Sequence, residues 1–161
     1  MIKPKILFPF FCRVICFISL LFIFACSQQI SGPHITSVDT EPKINSLYEE
    51  IGGKEKIAKI AQLFLDEVSY HPDVLPYFQH TNIARFEEKF IEHLCLISGG
   101  PCQYTGDTMQ QVHAGMNVNE ADFNAVVDLL VNAMSRASIA HTTQNKLLAR
   151  LVPMRQDIIY R

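Results

Sequence analysis

The sequence predicts an all-α domain, and three observations support this fold class. Apolar residues recur at intervals of three and four over several stretches, which is the period of one face of a helix. Capping residues and glycine or proline breaks bound these stretches. No stretch has a convincing strand pattern, and the composition, 48% hydrophobic and 19% charged, is typical of a globular protein.

The first two predicted helices are separated by a glycine pair. The first helix is short, follows Ser46, and has Glu49 at the capping-box position. It ends at Gly52-Gly53. The second covers residues 54–68, and prolines between 72 and 76 interrupt the chain after it. The apolar residues of one of its faces are Ile57, Ile60, Ala61, Phe64, Leu65 and Val68.

The third predicted helix begins at Thr81-Asn82 and ends at Gly99-Gly100-Pro101, a strong helix terminator. A short helix follows, capped by Asp107 or Thr108 and running through His113. The apolar residues of the third helix are Ile83, Phe86, Phe90, Ile91 and Leu94.

Two longer helices complete the prediction. Asn119 to Asp122 opens one of them, with Phe123 and Val126 on its inner side. The last runs from about 142 to 159, where the internal Pro153 should kink or break it.

The N-terminal segment has the composition of an export signal. Two lysines precede the apolar stretch 6–25, and Cys26 follows a small residue at its end. This arrangement is similar to a bacterial lipoprotein signal, in which Cys26 is lipidated and becomes the first residue of the mature chain. An uncleaved signal anchor is an alternative, because about 20 apolar residues can span a bilayer. A plain cleaved signal is another.

These features divide the chain into three segments. Residues 1–25 are predicted to be a lipoprotein-type signal peptide, 26–45 a flexible tether, and 46–161 the folded domain. In each interpretation the folded domain is exported, and a lipid on Cys26 would hold it at a membrane on the periplasmic or cell-surface side. The net charge of −2, without a dense basic cluster, argues against a nucleic-acid partner.

The folded segment contains two cysteines, Cys95 and Cys102, on either side of the Gly-Gly-Pro turn. In an oxidising compartment they could form a disulfide. The alternative is two free thiols, one of them buried, and the spacing alone does not decide between them.

His113 is the candidate chemical centre. An all-α domain with eleven phenylalanines could pack by itself, or it could enclose a flat apolar cofactor. Haem needs an apolar slot and a neutral imidazole as axial ligand, and a short helix that presents His113 just before Gly115 suits that ligand. Taken alone, a helical histidine is more often a surface or core residue. No histidine or cysteine pair has zinc-site spacing.

Six segments of the folded part form a recognisable series. They are Leu47 to Gly53, Pro76-Tyr77-Phe78, Gly99 to Gly106, Met109 to Gly115, Asp122-Phe123 and Leu151 to Ile158. Together they resemble the truncated haemoglobins, in particular group 1, and they follow that family in chain order over nearly all of 46–159. The resemblance implies a truncated-globin fold, a two-over-two helical sandwich around haem b.

The resemblance also assigns roles to single residues. His113 corresponds to the proximal iron ligand, and Phe78 corresponds to the ring that packs on the haem face. The other expected haem contacts are Phe64, Leu65, Phe86, Phe90, Leu94, Tyr104, Val118, Val126 and Leu130.

The distal side departs from the family pattern. Group 1 members commonly place a tyrosine after the phenylalanine of the second helix, where this chain has Leu65 after Phe64. Other positions that are often polar correspond to Phe86 and Phe90. We therefore expect a pocket without an obvious hydrogen-bond donor and with fast oxygen release. His93 could turn toward this side and donate a hydrogen bond or coordinate iron, or it could face solvent or a neighbouring helix.

The resemblance implies that a membrane-anchored domain binds diatomic gases, O2, NO or CO, reversibly at a pentacoordinate iron. The alternative is a nitric-oxide dioxygenase or another haem-dependent redox enzyme, which would need an unknown reductase because the chain has no flavin or dinucleotide motif. A third class is a haem-free helical domain for protein contacts, which predicts no Soret absorption after haem addition.

Overall fold

A computed structural model describes residues 46–161. The predicted signal peptide, the tether and Cys26 lie outside the described residues. Within the described part, all regular structure is helical, and none of its helices has both the length and the apolar character needed to cross a bilayer.

Six α-helices and two 3₁₀ segments form the domain. The α-helices are α1 Leu47–Ile51, α2 Gly53–Tyr70, α3 Ile83–Ile97, α4 Met109–His113, α5 Glu120–Arg136 and α6 His141–Leu151. The 3₁₀ segments are Leu75–Phe78 and Val152–Asp157.

The helix starts confirm the capping predictions. Ser46 and Glu49 form the predicted capping box at the start of α1. Asn82 accepts a hydrogen bond from the N–H of Arg85 at the start of α3, and Thr108 forms a second capping box at the start of α4. These contacts satisfy backbone donors that have no partner within the first turn of a helix.

The prediction for the last helix was wrong in its second half. Helix α6 ends at Leu151, and Val152–Asp157 continues as a 3₁₀ segment. The reason is Pro153, which has no N–H to donate and whose ring clashes with the preceding turn. A kink or a break was predicted at this residue, and the structure has the break.

The helices pack as two pairs, α2 with α3 and α5 with α6, in a two-over-two arrangement in which α2 also packs on α5. The core between them is mainly apolar, and among its largest fully buried side chains are Ile57, Ile60, Val68, Val74, Leu94, Met134 and Leu147. Burial of such side chains is the main favourable contribution to folding.

Two glycines are required where α1 meets the end of α3. Gly52 has φ 106°, a left-handed conformation that ends α1 and that other residues rarely adopt. A Cβ added at Gly100 would lie 2.5 Å from the ring of Tyr48 and 2.6 Å from Cys95 Sγ. The absence of a side chain at Gly100 therefore lets α1 pack on the turn that follows α3.

Candidate functional site

A large cavity of about 570 Å³ lies beside α3, α4 and α5 and the two 3₁₀ segments. This volume is in the range of pockets that hold small molecules and cofactors. Its apolar lining includes Phe64, Phe78, Phe86, Phe90, Val118, Phe123, Val126, Val127, Leu130 and Ile158, together with Met109, Met116 and Met154.

Four phenylalanine rings form a continuous aromatic wall. Phe86 and Phe90 are one turn apart on α3 and their ring centroids are 5.4 Å apart. Phe64 of α2 lies 5.1 Å from Phe90, and Phe78 of the first 3₁₀ segment lies 5.1 Å from Phe86. These separations are typical of favourable aromatic pairs, so the wall is both apolar and well packed.

His113 is the last residue of α4, and its half-buried ring lines the cavity. Its Nδ1 lies 2.8 Å from the carbonyl oxygen of Met109. A carbonyl oxygen can only accept, so Nδ1 must carry the hydrogen and donate it. In the neutral ring, Nε2 then keeps its lone pair. A backbone hydrogen bond of this kind fixes the tautomer and the orientation of metal-ligating histidines.

Polar and charged side chains close one edge of the cavity. Arg85 is exposed and contributes to the lining, as does Lys89 one turn further along α3. The ammonium of Lys89 lies 2.7 Å from a Glu88 oxygen and 3.0 Å from a Glu92 oxygen, and these bonds raise its pKa. This edge of the cavity therefore carries two cations, whereas the interior is mainly apolar.

Tyr77 connects the aromatic wall to α5. Its hydroxyl donates a 2.6 Å hydrogen bond to Asp122 Oδ2. This bond, with burial and the carboxylate charge as smaller causes, raises the pKa of Tyr77 to about 12. Because Tyr77 directly precedes Phe78, the bond fixes the 3₁₀ segment that carries this ring. This pair was not predicted from the sequence, although both residues lie in the segments that resemble the truncated haemoglobins.

We expect Tyr77→Phe to lower the free energy of unfolding by about 1 kcal/mol, because a partly exposed hydrogen bond to a carboxylate is lost. The folded pKa of about 12 lies above the ordinary value of 10.0, so this contribution is complete below about pH 10 and is lost as pH rises through 12. Urea unfolding of both proteins, at neutral pH and at increasing alkaline pH, measures the difference between their free energies of unfolding. If this difference stayed constant through the whole pH range, the prediction would be contradicted.

The structure brings most of the expected cofactor contacts together. The residues from that set that line the cavity are His113, Phe64, Phe78, Phe86, Phe90, Tyr104, Val118, Val126 and Leu130. Leu65 and Leu94 do not line it. Successive helix residues point about 100° apart, so Leu65 is turned away when Phe64 faces the cavity. Leu94 is fully buried in the core between the helices.

His93, whose direction was left open by the sequence, lines the cavity beside Tyr104, with the two ring centroids 5.2 Å apart. Its Nε2 is buried and has no hydrogen-bond partner among the described residues. Burial lowers the pKa of the imidazole, which favours its neutral form. His93 is thus part of the wall near Tyr104 rather than a solvated surface residue.

Cys95 and Cys102 form a disulfide, with their Cα atoms 5.8 Å apart. Cys95 is fully buried at the end of α3, and Cys102 is half-buried in the connection that leads to α4. Of the two alternatives left open by the sequence, the structure has the bonded one.

The folded part of the chain is similar to known proteins. Residues 46–160 match the family model described as bacterial-like globin. The group 1 truncated hemoglobin GlbN of Mycolicibacterium paratuberculosis is 30% identical over 113 residues, which make up 70% of this chain and 83% of that protein. The group 1 truncated hemoglobin of Tetrahymena pyriformis is 24% identical over 117 residues, 73% of this chain and 97% of that protein.

Solved structures show the same fold. The Fe(III) form of the Tetrahymena pyriformis truncated hemoglobin has a TM-score of 0.70 at 23% identity, and the match covers 73% of this chain and 100% of that one. The cyanomet 2/2 hemoglobin of Synechococcus, described with covalently attached heme, has a TM-score of 0.67 at 20% identity, with coverage of 73% and 100%.

Proposed function

The chain belongs to the bacterial-like globin family as a group 1 truncated haemoglobin, and we propose that it holds haem b and binds diatomic gases such as O2, NO and CO reversibly. The observation that carries this proposal is the hydrogen bond from His113 Nδ1 to the carbonyl of Met109. In the neutral ring this bond places the hydrogen on Nδ1 and leaves the lone pair of Nε2 free at the cavity, and a histidine that binds haem iron does so through such a nitrogen.

The rest of the cavity suits the same cofactor. The aromatic wall and the aliphatic side chains opposite offer the apolar slot that a porphyrin needs. Arg85, which has no ion pair among the described residues, and Lys89 are cations at the polar edge, where they could pair with the two propionate groups. Residues of several helices would therefore hold the cofactor in three ways. One side chain would bind the iron, apolar side chains would contact the porphyrin, and two cations would pair with its propionates.

When bound, the haem would supply iron as the site for the gas. The chain's own residues would hold that iron through His113 and exclude water with the rings of Phe64, Phe86 and Phe90. Because phenylalanine has no donor to offer, we expect this wall to give a polarised ligand little stabilisation.

Absorption spectroscopy of the full chain in detergent, titrated with hemin, tests the proposal. We expect a Soret band that saturates at one haem per chain, and a carbonyl spectrum after reduction and addition of CO. Failure of hemin to give a bound spectrum would overturn it and favour a haem-free helical domain. Catalytic consumption of nitric oxide by the oxygenated protein, supported by an added reductase, would favour the enzymatic alternative instead.

We further propose that the domain is exported and tethered to a membrane by a lipid on Cys26. Lysines followed by the apolar stretch 6–25 and then Cys26 support this location, since they have the order of a lipoprotein signal. The Cys95–Cys102 disulfide is a second, independent support, because such bonds persist in oxidising compartments outside the cytoplasm.

We expect Cys26→Ser to abolish incorporation of a labelled fatty acid, because the acyl chains would have no attachment site. Cys12→Ser, which changes another cysteine of the same N-terminal segment, is the matched control and should keep the label. Absence of label from the unsubstituted protein would instead support the signal anchor, and label that persists in Cys26→Ser would contradict lipidation at this residue.

A further inference from the structure

The connection between α3 and α4, residues 98–108, is fastened to α3 at three places. The Cys95–Cys102 disulfide is the first. The second is at Thr105, whose N–H and hydroxyl each donate a 2.9 Å hydrogen bond to the Glu92 carboxylate and whose hydroxyl oxygen accepts a 2.6 Å hydrogen bond from the Lys89 ammonium. The third is the edge contact of the Tyr104 ring with His93.

This connection determines part of the cavity. Tyr104, Gly106 and Asp107 contribute to the cavity lining, and the next residue, Thr108, caps the five-residue helix that ends in His113. A displacement of the connection would therefore change the wall beside His93 and also the position of the imidazole that points into the cavity.

The three attachments differ in kind. Thr105 is exposed, and water competes with its hydrogen bonds to Glu92 and Lys89, so this attachment can open and re-form without breaking a covalent bond. The ring contact is a single edge-on pair. The disulfide is covalent, and it restricts the conformations of the connection whatever the solvent does. It is therefore the attachment that restrains the connection most.

We propose that the Cys95–Cys102 disulfide is a redox-sensitive clamp on the cofactor cavity, and that its reduction speeds loss of haem. The reductant is a dithiol: it gives two electrons and two protons, the S–S bond breaks, Cys95 and Cys102 become thiols, and the dithiol becomes a disulfide. Cys102 is the half-buried end of the bond and the side from which a reductant would approach, whereas Cys95 is fully buried in the core. This inference rests on the proposed binding of haem.

The test compares haem loss from the full chain in three forms: oxidised, reduced by a dithiol that is then removed without air, and Cys95→Ser/Cys102→Ser. Transfer of ferric haem to an excess of a haem-scavenging apoglobin gives the rate. We expect the reduced form and the double variant to lose haem about 10- to 100-fold faster, the range found when groups that orient a metal ligand are removed. Dithiol treatment should not change the double variant further.

Hydrogen exchange supplies a readout that does not depend on haem. In the haem-free protein, we expect the amide of Thr105 and the amides of α4 to exchange faster after reduction, while those in the middle of α2 keep their protection. Equal haem loss and equal exchange in the oxidised and reduced wild type would overturn the clamp, even if the double variant failed to fold. Absence of a Soret band from the oxidised form would instead overturn the proposed function. The exchange data would then still show whether the disulfide restrains the connection and α4.

Discussion

Replacement of His113 by alanine is expected to remove the axial ligand and to weaken haem binding by more than about 100-fold, beyond the 10- to 100-fold effects of residues that only orient a ligand. The reason is that Nε2 of His113 is the nitrogen left available by the bond from Nδ1 to the Met109 carbonyl. Titration with hemin and the spectrum of the ferrous carbonyl form measure the effect. Free imidazole added to the variant should restore a wild-type-like spectrum, because it can occupy the space of the missing ring.

His80→Ala is the matched control for this experiment. His80 is exposed and does not line the cavity, so its removal should leave both the affinity and the spectrum unchanged. If His113→Ala kept the wild-type spectrum without imidazole, another residue would have to be the ligand. His93→Ala would then be the first variant to examine, because its imidazole is the other one in the cavity wall.

The local parts of this fold could be predicted from the sequence. Capping depends on side chains within three residues of one another, so Ser46, Asn82 and Thr108 mark their helices without knowledge of the tertiary structure. The short helix before Gly115 was predicted in the same way. The family resemblance then assigned most of the residues that line the cavity, because their order along the chain follows the order of the helices.

Other features depend on how distant segments meet. Tyr77 and Asp122 are 45 residues apart, and neither carries a local signal for the bond between them. The Cys95–Cys102 pairing depends on the turn at Gly99-Gly100, whose shape fixes the Cα separation. Phe64 and Leu65 were both expected at the cavity, Leu65 from its place in a family motif, and the structure has only Phe64 there.

The direction of Leu65 decides where a hydrogen-bond donor would have to be placed. A polar residue at 65 would not face the cavity, whereas Phe90 lines it and packs against both Phe64 and Phe86. Position 90 also corresponds to a place that is often polar in the family. It is therefore the best site at which to test whether the aromatic wall limits oxygen retention.

Phe90→Gln is expected to slow oxygen dissociation by about 10- to 100-fold, because a hydrogen bond to a polarised ligand contributes roughly 1.5–3 kcal/mol and each 1.4 kcal/mol is a factor of ten. Dissociation of carbon monoxide, which is less polarised, should change less, so the ratio of the two rates is the diagnostic quantity in stopped-flow measurements. Phe90→Leu removes the same ring without adding a donor and should not slow oxygen release. Equal rates for the glutamine and leucine variants would contradict the prediction, because an amide donor would then have no effect at this wall.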